Sequence, residues 1–140
     1  MLIEDSRLVR TILEKDLVRS GFQVITAADG EDGLRKVQQY HPHVILLDML
    51  LPKITGLDVL HALKADDTIR NIPVIVLTGL SKENADRLKD SGASAFFEKS
   101  DDSLKAGAAN LIRVIEQVIE NCPAGGANAG GYTPLRSSAQ

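Results

Sequence analysis

Tryptophan is absent from this sequence, cysteine occurs once, and aromatic residues together make up only 4% of the chain. A lone Cys122 cannot form an internal disulfide, so a reducing compartment, the cytoplasm, is the natural setting. With so few rings the core has to be aliphatic, and a 44% hydrophobic content over 140 residues is enough for one such core. Positive charge is also in short supply. Sixteen Lys and Arg stand against 19 Asp and Glu, for a formal charge of −3, which argues against a direct nucleic-acid interface. No apolar run approaches the length of a membrane span, and the N-terminus lacks a charged-then-apolar secretory pattern. There is no repeat at a solenoid period and no GxxxxGK[ST] phosphate loop.

What is present is an alternation of short aliphatic runs with helical stretches. "MLIE" opens the chain with only three apolar residues, fewer than an ordinary strand, and reads as a first strand cut short. Val9, Ile12, Leu13 and Leu17 then recur at helical spacing, with Gly21 placed as a C-cap. "FQVITA" (22–27) alternates as a strand does, and 29–40 is a helix with Asp29 as its cap. "HVILLD" (43–48) is the third strand, followed by a helix around Leu57, Leu60 and Leu63. "PVIVLT" (73–78) is the fourth strand, 81–93 a polar helix ending at Gly92, and "AFFEK" (95–99) the fifth strand. A last helix covers roughly 103–120, with Leu104, Ala108, Leu111, Ile115 and Val118 on one stripe. Five strands alternating with five helices, the middle strands continuously aliphatic, predict an α/β fold with a parallel sheet covered on both faces. The Gly/Ala/Pro/Ser-rich segment 122–140 lacks periodicity and is expected to be a flexible tail to a single domain over 1–121.

In an open parallel sheet, ligands bind beyond the carboxyl ends of the strands, where the strand order reverses. The first strand ends in Glu4 and Asp5, the third in Asp48, the fourth in Thr78 and the fifth in Lys99. Three carboxylates, a hydroxyl and an ammonium are therefore predicted to converge on one edge. Crowded carboxylates raise one another's pKa, and a hard divalent cation relieves the repulsion; Mg²⁺ characteristically takes one or two carboxylates together with phosphate oxygens and water. An Asp oxygen in that position can act as a nucleophile and hold an acyl-phosphate.

The set "EDS" (4–6), "ILLDMLLPKITGLDVL" (45–60), "VIVLTG" (74–79) and "FFEKS" (96–100) resembles the receiver domain of two-component response regulators over residues 1 to about 120. That resemblance implies a flavodoxin-like, doubly wound sheet in the order 2-1-3-4-5. By position it makes Asp48 the phosphoacceptor and Asp5 a direct Mg²⁺ ligand, with Glu4 acting mainly through water and the backbone carbonyl of Leu50 completing the metal site. It makes Thr78 the switch hydroxyl, Lys99 the partner of the phosphoryl group and Phe96 the switch aromatic, with Pro52 and Gly56 shaping the loop after Asp48. The donor it implies is a sensor histidine kinase or histidine phosphotransfer protein, or a small acyl-phosphate. The output it implies is a surface made by the helix over 81–93, the fifth strand and the last helix, docking to a downstream protein. The chain would then be a signalling phosphoacceptor, not an enzyme with a separate substrate.

Two features depart from the family's pattern. Ser100 replaces the Pro that usually follows the strand-five Lys with a cis bond, so Lys99 is expected to be less rigidly aimed. Leu50 and Leu80 occupy the two positions that flank the phosphoryl group in this family; neither side chain orients water, which predicts slow self-dephosphorylation. Two other readings stay open on the sequence. A degenerate receiver acting as a phosphorylation-independent scaffold is one; an electron carrier on the same architecture is the other, though "EDSRLVR" is acidic where that carrier needs a phosphate-cradling loop. His41, His43 and His61 read as solvated or structural, not as metal ligands. Apolar residues on more than one side of the last helix leave room for a weak homodimer contact.

Overall fold

The computed structural model describes residues 1–79, 90–99 and 109–121. Within them the chain forms β1 (Leu2–Ile3), α1 (Arg7–Arg19), β2 (Thr26–Ala27), α2 (Gly30–Tyr40), β3 (Ile45–Asp48), α3 (Gly56–Ala65), β4 (Val74–Thr78), β5 (Ala95–Glu98) and α4 (Ala109–Asn121). All strands are parallel in one sheet of order β2-β1-β3-β4-β5. The sheet order and class match the sequence expectation. Four helices lie among the described residues; most of the predicted helix over 81–93 and the tail over 122–140 lie outside them.

The aliphatic runs become β3 and β4 because both of their faces are covered. Ile45 and Leu47, with Val74 and Val76, face Val37 of α2 and Val59, Leu60 and Leu63 of α3. Leu46, Ile75 and Leu77 face Leu13 and Leu17 of α1 and Leu111, Ile115 and Val118 of α4. Each fully buried Leu or Ile contributes about 1.5–3 kcal/mol relative to leaving it in water, which makes these two layers the main source of stability.

Helix starts follow local hydrogen-bond chemistry. The Ser6 hydroxyl accepts from the Val9 amide, Asp29 accepts from Asp32, and Thr55 with Asp58 forms a reciprocal capping box. Gly21, at φ 96°, takes the left-handed conformation that ends α1, as its placement in the sequence suggested.

Several boundaries differ from expectation. The predicted strand over 22–27 shrinks to Thr26–Ala27. The Phe22 amide is taken by Leu17 O at the end of α1, and β1 offers only two residues to pair with. The third strand begins at Ile45, not at His43. Residues 90–92 form a turn, with Gly92 at φ 98°, so the predicted helix over 81–93 does not run to its forecast end. β5 closes at Glu98, leaving Lys99 one position beyond it, although the Lys99 amide still donates to Thr78 O at 2.8 Å.

Candidate functional site

The topology fixes where chemistry can occur. β1 lies between β2 and β3, so successive strands leave it in opposite directions, and a crevice opens beyond the ends of β1 and β3. Glu4 and Asp5 follow β1 directly, and Asp48 is the last residue of β3. One carboxylate oxygen from each of the three lies within 4.8 Å of the others. Glu4 and Asp48 are buried while Asp5 is exposed, so the cluster has a dry floor and a wet mouth.

Lys99 reaches into this cluster from the end of β5. Its Nζ lies 2.9 Å from Glu4 Oε1 and 3.0 Å from Asp48 Oδ1. Burial works against the ammonium charge, but the hydrogen bonds to Glu4 and Asp48 outweigh it and hold the lysine above its ordinary pKa. Glu4 is pushed up to about 7, first by burial and then by its hydrogen bond to Asp48, with Lys99 pulling the other way. Three acidic side chains face one ammonium, so the pocket retains an excess of negative charge. A compact hard cation with oxygen ligands fits that donor set.

The surrounding backbone is tightly placed. Asp48 Oδ1 also accepts from the Leu50 amide at 3.2 Å, and Glu4 Oε2 accepts from the Ser6 amide at 3.3 Å. A side chain at Gly56 would put its Cβ 2.4 Å from Asp48 O and 2.6 Å from Met49 Cα. Only glycine lets α3 begin against the loop that follows Asp48. Thr78, buried at the end of β4, is one step past the Asp48–Leu77 pairing, so its position borders the same rim. Phe96 packs partly buried against the α2/α3 core layer, opposite Val76 in the ladder.

A family model for the response regulator receiver domain matches residues 1–108. The chain belongs to the receiver-domain family. DivK, the polar-differentiation response regulator of Brucella ovis, is 33% identical over 100 residues, which span 71% of this chain and 81% of that protein. Among solved structures, the chemotaxis protein CheY4 of Vibrio cholerae is 27% identical with a TM-score of 0.72, covering 84% of this chain and 94% of that one. The receiver domain of a Pseudomonas aeruginosa PAO1 sensor histidine kinase is 26% identical with a TM-score of 0.74, covering 86% and 95%. That structure holds a magnesium ion in its active-site cleft. Receiver domains bind Mg²⁺ in their acidic pocket, exchange signals with histidine kinases and act on downstream targets.

Of the residues singled out in the sequence, Glu4, Asp5, Asp48 and Lys99 meet in this receiver's acidic pocket, and Thr78 and Leu50 border it. Leu80 lies outside the described residues. The three histidines contribute to no potential metal cluster among the described residues. Helix-spaced or strand-ending polar residues were the sequence signal, and that signal passed over Arg10. Its guanidinium holds Glu4 O at 2.8 Å and Asp5 O at 3.3 Å, clamping the backbone of the acidic pair. It also passed over Lys53, which takes φ 69° without being glycine and pairs with the α2 cap Asp29 at 3.5 Å. No helix among the described residues is long and apolar enough to cross a membrane.

Proposed function

We propose that Asp48 is the phosphoacceptor of this receiver. The supporting observation is the convergence of Glu4, Asp48 and Lys99 from three strand ends, with Lys99 Nζ within 3.0 Å of both carboxylates. An oxygen of Asp48 attacks phosphorus; a P–O bond forms as the P–N bond of a donor phosphohistidine breaks, and the imidazole leaves with the electron pair. Asp5, Asp48 and the Leu50 carbonyl would hold Mg²⁺, with Glu4 contributing through water. Bound there, the ion neutralises charge on the phosphoryl oxygens and on the carboxylates.

The transferred group adds nearly two negative charges and strong acceptors. Lys99 then pairs with it, the Thr78 hydroxyl donates to it, and Phe96 repacks as Thr78 moves. The chain catalyses only its own phosphorylation and dephosphorylation. Its donor is a sensor histidine kinase or histidine phosphotransfer protein, and its output is a docking surface for a downstream protein in the cytoplasm, with a weak homodimer through α4 as one form of it. The working domain is 1–121.

Incubation with Mg²⁺ and acetyl phosphate, read by intact mass, tests this. One added phosphate is expected on the wild type and none on Asp48→Asn. Addition to both, or to neither, refutes the assignment.

A further inference from the structure

The loop between β3 and α3 holds a strained turn close to Asp48. Lys53 takes φ 69°, and the Ile54 amide donates to Pro52 O at 2.8 Å across it. That is a γ-turn with positive φ, the rare and strained form, at a residue that carries a Cβ. Among the described residues the other non-glycine with positive φ is His41, the C-cap of α2, where the left-handed conformation is ordinary. No helix end accounts for Lys53. Strain of this kind persists only where the surroundings impose it.

Two contacts with the start of α2 impose it. Lys53 Nζ lies 3.5 Å from Asp29 Oδ2, while Oδ1 of the same side chain caps α2. Ile54 lies so close to Gly30 that a Cβ there would be 2.6 Å from Ile54 Cγ1. Earlier in the same loop the Leu50 amide donates to Asp48 Oδ1 at 3.2 Å. Lys99 Nζ meets that oxygen at 3.0 Å, so two donors together fix the rotation of the Asp48 carboxylate. One of the two is carried by the strained loop. A half-exposed ion pair and a left-handed φ are of similar magnitude, so the tie to Asp29 is enough to decide whether the turn holds.

We propose that Lys53 is a positioning residue: its tie to Asp29 holds the turn, and through the turn it keeps the Leu50 amide on Asp48. The start of α2 thereby acts on Asp48 through the loop. The consequence for phosphoryl transfer rests on reading Asp48 as the phosphoacceptor; the tie itself does not.

The test uses the full chain as wild type, Lys53→Ala, Lys53→Arg, Asp29→Asn and the double variant Lys53→Ala with Asp29→Asn, each checked for folding by circular dichroism. Amide hydrogen exchange at Leu50 is followed by NMR. Labelling by acetyl phosphate with Mg²⁺ is followed by intact mass over a range of acetyl phosphate concentrations. Asparagine caps a helix as well as aspartate does, so Asp29→Asn removes the charge and leaves α2 its cap. Lys53→Ala and Asp29→Asn are each expected to exchange the Leu50 amide about fivefold faster, the upper end of what such an ion pair supplies, and the double variant no faster than Lys53→Ala. The saturated labelling rate is expected to fall at least about twofold at an unchanged half-saturating concentration. Lys53→Arg, which keeps the pair, is expected to stay within roughly twofold of wild type in both measurements. Unchanged exchange in the single variants, or effects that multiply in the double variant, overturns the tie. An unchanged saturated rate, with or without a shifted half-saturating concentration, overturns the positioning role. No label on wild type removes the phosphoacceptor reading, and exchange at Leu50 then decides the tie alone. If Lys53→Ala does not fold, Asp29→Asn against Lys53→Arg decides.

Discussion

Lys99 and Glu4 are 95 positions apart in the chain, yet the lysine Nζ and a glutamate oxygen meet at 2.9 Å beyond the sheet. A buried pair of this kind is a weak source of net stability, because desolvation offsets most of the attraction. Its removal from one side is another matter, since the remaining charge is left enclosed. The pair therefore registers β1 against β5 across the intervening β3 and β4 and makes the pocket sensitive to any change in its charges.

One such change is pH. Glu4 is raised from its ordinary 4.5 to about 7, with Asp48 and Lys99 as its charged neighbours. Between these values the folded chain keeps a proton that the unfolded chain has released. The stabilisation is thus complete below about 4.5 and is lost as pH rises through about 7. Urea unfolding in EDTA across this window is expected to show wild type losing stability relative to Glu4→Gln as pH rises. The relative loss should be at most about 3 kcal/mol.

Gly56→Ala places a methyl group against Asp48 O and Met49 Cα, neither of which can rotate away. We expect a loss of about 1–3 kcal/mol in urea unfolding. Slower labelling of the proposed acceptor Asp48 by acetyl phosphate should accompany it, because the clash pushes on the backbone of Asp48 and Met49. A fully stable, normally labelled variant would show that α3 can withdraw at no cost.

Arg10→Met keeps the aliphatic stem but gives up the donors to Glu4 O and Asp5 O. Thermal unfolding is expected to reveal a loss of about 1–2 kcal/mol. Mg²⁺ affinity should weaken in calorimetry as the acidic pair loses its fixed backbone.

Leu50 is 73% exposed at the mouth of the pocket, while its amide anchors Asp48. An apolar side chain there cannot orient an attacking water. Phospho-Asp48 is therefore expected to outlast the phosphorylation reaction by minutes or more, and Leu50→Asn to shorten its life on the order of tenfold by supplying a polar group. Decay within seconds, unaltered in the variant, would contradict this.

The parts of the molecule that were legible in the sequence share a physical reason. Ile45–Leu47 and Val74–Leu77 are buried on both faces, so their burial left a continuous aliphatic mark, and the polar residues ending those runs marked the rim. Asp29 and Gly21 obey local capping rules that depend on a few neighbours only. The short β2 was hidden because its length is set by β1, a partner distant in sequence. Arg10 was hidden for a different reason: it binds backbone carbonyls, whose direction no residue type announces. Lys53 adopts a positive φ without a glycine to signal it.

Among the described residues, Leu2 and Ile3 alone stand in register with both Thr26–Ala27 on one side and Leu46–Leu47 on the other. Backbone bonds from Leu2 N to Ile25 O and from Glu4 N to Ala27 O flank this register, so the β2 edge joins the rest of the sheet through a hinge only a few residues wide. Fraying at that point would detach one margin of the sheet while leaving β3, β4 and β5 zipped. Amide hydrogen exchange should find the edge at Thr26 and Ala27 opening well before the interior amides of Leu46 and Leu47 do.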